Sequence, residues 1–200
     1  AVKFQTYDAT KLAAESSPAY WDLDKEPTTS QRKLFKKFEC KELNFYLPII
    51  KECKKLDLEF LTTCFDIELV DLFDPFLNTY KISSSDITNR ILINKIISKG
   101  KPIILSCGAS SFSEIKTTVS FIKGKSNLPL NLLHCVLNYP CSPENANISV
   151  ISSLQKEFSE KCEGFGYSCH VPMPEGLNCC LNALSLGSNI IEKHFTISRL

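Results

Sequence analysis

The chain has 200 residues, 44% of them hydrophobic, and a formal net charge of +1 from 23 basic and 22 acidic side chains. That size and apolar content suit one domain with a sizeable core, or part of a larger one. A near-neutral charge without a basic stripe argues against nucleic acid or an anionic membrane as a partner, and no run approaches the ~20 apolar residues of a membrane span.

The chain opens on a first apolar run, AVKFQ, and AVKFQTYDAT has no basic segment followed by an apolar one, so it is not a secretory signal. The polar stretch 15–33, ESSPAYWDLDKEPTTSQRK, reads as a loop insertion after that run, and PTTSQRKLFKKFECKE as a solvated basic helix face. ELNFYLPIIKECKKLD has apolar residues at helical spacing, with Pro48 expected near a helix start or at a kink. Apolar runs follow at 58–63, LEFLTT, and 79–83, TYKIS. NRILINKIISKG comes after SSD and stops at Gly100. PIILSCG at 102–108 leads into SFSEIKTTVSFIKG, where Ser111 or Ser113 is the expected cap and Gly124 the stop. NLLHCV at 131–136 precedes the helical pattern ISVISSLQKEFSEKC. GFGYSCH at 164–170 precedes EGLNCCLNALSLG, and NIIEKHF at 189–195 is the last run.

Several of these runs are continuous rather than alternating, as strands buried on both faces are. Strand and helix patterns alternate without hairpin signals, which predicts an α/β protein with a parallel sheet. Seven such strands in this length point to a (β/α)8 TIM barrel that lacks one strand. The rival is an open doubly wound sheet, but no GxGxxG follows the first run. The ten cysteines form no CxxC pair and no metal-finger spacing. They read as reduced thiols acting as small apolar residues, and the expected compartment is the cytoplasm.

In a barrel, functional side chains gather at the carboxyl ends of the strands. The first two runs deliver Lys3, Gln5 and Thr6, then Thr62, Thr63 and Asp66. The third delivers Lys81, Ser83, Ser84, Ser85 and Asp86, and the fourth Ser106 and Gly108. The last three deliver His134, Asn138 and Tyr139, then Tyr167, Ser168 and His170, then Glu192, Lys193 and His194. All three histidines of the chain fall at expected strand ends, and two imidazoles on neighbouring strands make a divalent-metal pair. Lys3 and Lys81, with several hydroxyls, suit a phosphate or a carboxylate. Plainer readings stand beside these. Lys3 can snorkel from a strand end, Ser83–Ser85 can be turn chemistry, His134 within LLHCV can be a satisfied core histidine, and Glu192 with Lys193 an ordinary solvated pair.

The motifs VKFQTY, TYKISSSDITN, KGKPIILSCGAS, LLHCVLNYP, GFGYSCH and IIEKHFT, together with the loop SPAYWDLDKEPTTSQ, resemble in order those of the N-acetylneuraminate (sialic acid) synthase family. The resemblance spans all 200 residues. It implies a (β/α)8 barrel that condenses phosphoenolpyruvate with an N-acylated aldose, N-acetylmannosamine or a relative, to a nine-carbon 2-keto acid and phosphate. The implied cofactor is a divalent metal, Mn2+ or Mg2+. Carried over by motif, Lys3, Thr63, Lys81, Ser84, Ser106 and Ser168 hold phosphoenolpyruvate, and Gln5 and Tyr139 touch the sugar. Asp86 lies near the reacting carbons, Glu192 lines the same mouth, and His170 and His194 ligate the metal. Lys3 and Lys81 offset charge throughout the reaction.

Two departures accompany the resemblance. GYSCH carries Cys169 where the family has Asp, and Leu137 stands at the family's Asn with Asn138 one place on. The family pattern also implies a first barrel strand before Ala1, and a last helix and a small antifreeze-like domain after Leu200. The expectation is therefore a partial barrel over 1–200, from a protein that is a homodimer when full length. The alternative is a non-catalytic or degenerate barrel remnant.

Overall fold

The computed structural model describes residues 1–197. All seven expected strands form, and they fall into two parallel sheets, one of two strands and one of five. The chain divides into two compact units, Ala1–Tyr80 and the remainder from Lys81 onward.

In the first unit β1 (Val2–Thr6) pairs in parallel with β2 (Phe60–Cys64), with Lys3 opposite Leu61 and Gln5 opposite Thr63. Alternation puts Phe4 and Phe60 on one face and Lys3, Gln5 and Thr63 on the other. The first face meets aromatic rings from α3 (Leu43–Lys55) and α4 (Ile67–Phe73): Tyr46 lies edge-on to Phe4 and Phe73, and Phe60 stacks on Phe73. Such ring pairs add to the burial of their large apolar area. Pro48 sits in the second turn of α3, where the donor it lacks would have served a first-turn carbonyl. The insertion after β1 carries two short helices, α1 (Ala9–Leu12) and α2 (Gln31–Phe38), so its polar tail is helical from Gln31.

The second unit holds the sheet β3 (Tyr80–Ile82), β4 (Ile103–Ser106), β5 (Leu130–His134), β6 (Gly164–Cys169) and β7 (Ile190–Lys193), in that order across it. Its crossovers carry α5 (Arg90–Ile97), α6 (Phe112–Lys125), α7 (Val150–Phe158) and α8 (Glu175–Ser185). Leu105, Leu132, His134, Tyr167 and Cys169 lie on the sheet face these helices cover, while Ser106, Leu133, Gly166, Ser168 and Glu192 lie on the other. Gly166 has to be glycine at such a face. A Cβ there would stand 2.3 Å from the Ile190 carbonyl oxygen and 2.6 Å from Leu133 Cδ2. The sheet is rolled into a half-barrel: Lys81 on one edge strand reaches Glu192 on the other, with Nζ 3.7 Å from Oε2.

Helix starts follow the expected chemistry. Ser111 and Glu114 form a reciprocal capping box on α6, and Asn89 caps α5. Gly100 takes the left-handed φ of +70° that ends the α5 segment. The expected stop at Gly124 is one residue early. The helix runs through it to Lys125, because Ser126 turns extended and returns both its amide and its hydroxyl to the Ile122 carbonyl. All ten cysteines are free thiols, eight of them buried. Among the described residues no helix is long and apolar enough to cross a membrane.

Candidate functional site

Lys81 is the centre of the site. Only 4% of the residue is exposed, and its ammonium donates to Ser106 Oγ at 2.7 Å. A buried cation persists only with partners; Lys81 has Ser106 on the next strand and Glu192 on the far edge. Glu192 continues the chain of contacts, since its Oε1 accepts from the buried Ser168 hydroxyl at 2.7 Å. Ser84 is buried in a short 3-10 turn, Ser84–Asp86, just beyond β3. Its neighbour Ser85 bonds Ser83, so turn chemistry is present in that run. Asp86 is half-buried, accepts from Asn89 Nδ2 at 3.1 Å, and is pushed above the usual carboxylate range by burial.

His170 follows β6. Its Nδ1 lies 2.6 Å from the Val136 carbonyl oxygen. A carbonyl only accepts, so Nδ1 carries the proton and Nε2 presents its lone pair. Nε2 is 3.5 Å from Ser168 Oγ, whose proton goes to the shorter contact with Glu192. His194, just after β7, stands edge-on to His170 with ring centroids 5.6 Å apart, and the Tyr139 ring packs over His170 at 4.1 Å. Burial holds His170 below the ordinary histidine range, so the ring is neutral and its lone pair is available near neutral pH. The donor set is that of a metal-ligating imidazole whose other nitrogen is fixed by a backbone carbonyl. Among the described residues no three His, Cys, Asp or Glu groups converge on one point. His170 therefore offers its Nε2, with the His194 ring edge-on beside it.

Several expectations change. His134 lies on the helix-covered face, buried, with Nε2 2.8 Å from the Ala146 carbonyl and its ring stacked on Tyr167; it is a satisfied core histidine. Asp66 caps α4 through the Leu69 amide, so it serves the helix. Lys193 donates to the Val171 carbonyl from the helix-covered face and is not a solvated ion pair with Glu192. Cys169 also faces that side, its thiol toward the Val171 and Gly176 carbonyls. The departure at 169 thus lies behind β6, while the Val136 carbonyl fixes the orientation of the His170 ring. Lys3, Gln5 and Thr63 share one face of the two-stranded sheet, with Thr63 buried, Lys3 half-buried and Gln5 exposed. Cys135, buried just past the end of β5, escaped the sequence reading. The signal for it was alternation: Leu133 is on the inner face, so the residue two further on returns there.

A buried ammonium bonded to a serine hydroxyl, in the same sheet as two imidazoles packed edge-on at the carboxyl ends of parallel strands, defines a half-barrel α/β protein with its polar site at the strand ends. The chain belongs to the NeuB family, whose sequence profile matches residues 1–200. N,N'-diacetyllegionaminic acid synthase of Campylobacter jejuni is 33% identical over 203 residues, covering 99% of this chain and 59% of that protein. Pseudaminic acid synthase of Helicobacter pylori is 31% identical over 208 residues, covering 99% and 57%. The crystal structure of N-acetylneuraminic acid (sialic acid) synthetase from Leptospira borgpetersenii, in complex with citrate, has a TM-score of 0.84 at 34% identity, over 100% of this chain and 63% of that one. The chain spans about three-fifths of the length of these relatives.

Proposed function

We propose that this chain is the catalytic part of a sialic acid-type synthase. It condenses phosphoenolpyruvate with an N-acylated aldose, N-acetylmannosamine or a relative, to give a nine-carbon 2-keto acid and phosphate. The observation that carries this reading is the buried Lys81 with Ser84, Ser106 and Ser168 close to the His170–His194 pair, in a chain of the NeuB family. A triply negative ligand calls for a fixed cation and short donors in a water-poor pocket, and Lys81 and the serines supply them.

In this reading C3 of phosphoenolpyruvate attacks the open-chain sugar's aldehyde carbon, water meets the positive charge at C2, and the tetrahedral intermediate expels phosphate. A divalent cation, Mn2+ or Mg2+, held by His170 and His194 would polarise the aldehyde oxygen. Lys81 transfers its attention from Glu192 to the phosphate and carboxylate. Glu192, so released, faces the reacting carbons and takes a proton from the incoming water. Asp86, raised by burial, is the second carboxyl suited to move a proton there. Tyr139 packs against the sugar. Lys3, Gln5 and Thr63 carry ligand roles from their motifs, Lys3 as a second cation. The proposal extends to a closed (β/α)8 wall, a homodimer and a cytoplasmic setting for the full-length protein.

Phosphate release by the full-length protein with phosphoenolpyruvate, Mn2+ and N-acetylmannosamine tests the reading; turnover is expected. No release with any N-acylated hexosamine, in an assay where an authentic synthase works, would overturn it.

A further inference from the structure

β6 and β7 end on matched triplets. Ser168 pairs with Glu192 and Cys169 with Lys193, where both strands stop, so His170 and His194 follow as the next residue on each. Side-chain bonds on both faces tie these ends together. On the inner face Ser168 donates to Glu192 at 2.7 Å. On the helix-covered face the half-buried Lys193 donates from its ammonium to the carbonyl of the fully buried Val171. This second bond lies beyond the strand pairing and joins the residue before His194 to the residue after His170. The start of α8 is packed onto it. The Gly176 amide donates to the Pro172 carbonyl at 2.7 Å, and a Cβ on Gly176 would stand 2.3 Å from the Val171 carbonyl oxygen and 3.1 Å from Lys193 Nζ. Lys193, Val171 and both histidines line one cavity.

We propose that Lys193 is a positioning residue for the imidazole pair: its bond to Val171 clips the two histidine-bearing segments together and sets the separation at which they meet a divalent cation. The inference rests on the proposed function above, in which His170 and His194 hold Mn2+ or Mg2+. The Val136 carbonyl fixes the His170 ring from the β5 side. That bond does not reach His194, which follows the edge strand β7. The Lys193 bond spans the remaining gap. A ligand pair already held at its working separation binds a cation without first ordering a loop, so losing the clip lowers metal affinity and leaves the anion pocket around Lys81 as it was.

Calorimetric titration of the full-length protein with Mn2+, and separately with phosphoenolpyruvate while metal is chelated, tests the clip. Lys193→Met is expected to weaken Mn2+ binding about tenfold and to leave phosphoenolpyruvate affinity within about twofold. Lys193→Arg, which keeps a charged donor, is expected to recover Mn2+ affinity to within about threefold. Gly176→Ala crowds the Val171 carbonyl from the other side, so it is expected to weaken Mn2+ binding similarly and to add nothing on a Lys193→Met background. Unchanged Mn2+ affinity in Lys193→Met, equal losses for Mn2+ and phosphoenolpyruvate, or losses that multiply in the double variant would overturn the inference. Should Lys193→Met fail to fold, the unmutated protein decides. Linkage requires bound Mn2+ to tighten the clip in return, so Mn2+ must slow acetylation of Lys193 by acetic anhydride relative to the exposed Lys161, and an unchanged ratio rejects the clip. If the unmutated protein binds no Mn2+, it is the metal reading that fails, and the clip with it.

Discussion

Lys81 and Glu192 occupy the two edge strands of a five-stranded sheet, yet their charged groups are 3.7 Å apart. Strands spaced ~4.8 Å apart would put the edges of a flat sheet about 19 Å from each other. Only a strongly rolled sheet lets two side chains bridge that gap, so the ion pair both reports the curvature and sits at its focus.

Removing the lysine should therefore cost stability and binding together. Lys81→Met removes the Lys81 ammonium from beside the Glu192 carboxylate, which is 20% exposed. A loss of about 2–3 kcal/mol is expected, below the full penalty for a completely buried pair because Glu192 keeps some solvent. Urea midpoints give the stability term, and calorimetric titration with phosphoenolpyruvate should show no binding.

The histidine pair is checked by heat. Mn2+ at a hundred times its Kd should stabilise the full-length protein by about 2.7 kcal/mol, visible as a rise in melting temperature. His170→Ala and His194→Ala should each abolish the shift. A shift that survives in both variants would place the metal elsewhere.

Gly166→Ala tests the inner face. The added methyl meets the Leu133 side chain and the Ile190 carbonyl oxygen, and the carbonyl cannot yield without moving a strand. A destabilisation of about 2–3 kcal/mol is expected from denaturant titration. Gly124→Ala, in open space on α6, is the control and should stabilise slightly.

Acid sensitivity follows from the histidines. His134 and His170 are both held below the ordinary range, chiefly by burial. Between the folded and unfolded pKa values the unfolded chain binds more protons, so this contribution to stability is intact above about pH 6.5 and is lost as pH falls from there through the lowered folded values. Urea midpoints should drop from pH 7 to pH 5, and His134→Gln should flatten the slope.

Much of this was legible in the sequence because buried parallel strands leave continuous apolar runs. β6, GFGYSC, is buried at every position and was found with its first boundary intact. The catalytic-looking ends of β3 and β7 were legible for the same reason: a polar residue that interrupts such a run must be partnered, as Lys81 and Glu192 are. α4 was missed because its short apolar set, Leu69, Val70 and Phe73, follows directly on Asp66, whose capping role was taken for a site role. Facing direction was the other blind spot. Cys169 and Lys193 sit next to site residues in sequence but on the opposite side of the sheet, a distinction that depends on register and not on proximity along the chain.

The bond between His170 and Val136 carries one last implication. The group that sets the imidazole's proton is part of the peptide backbone, present whatever residue stands at 136. Substitution cannot delete it. The neighbouring position 169 takes no part in that bond and can hold a small sulfur-bearing side chain, while the ring beside it keeps its aim.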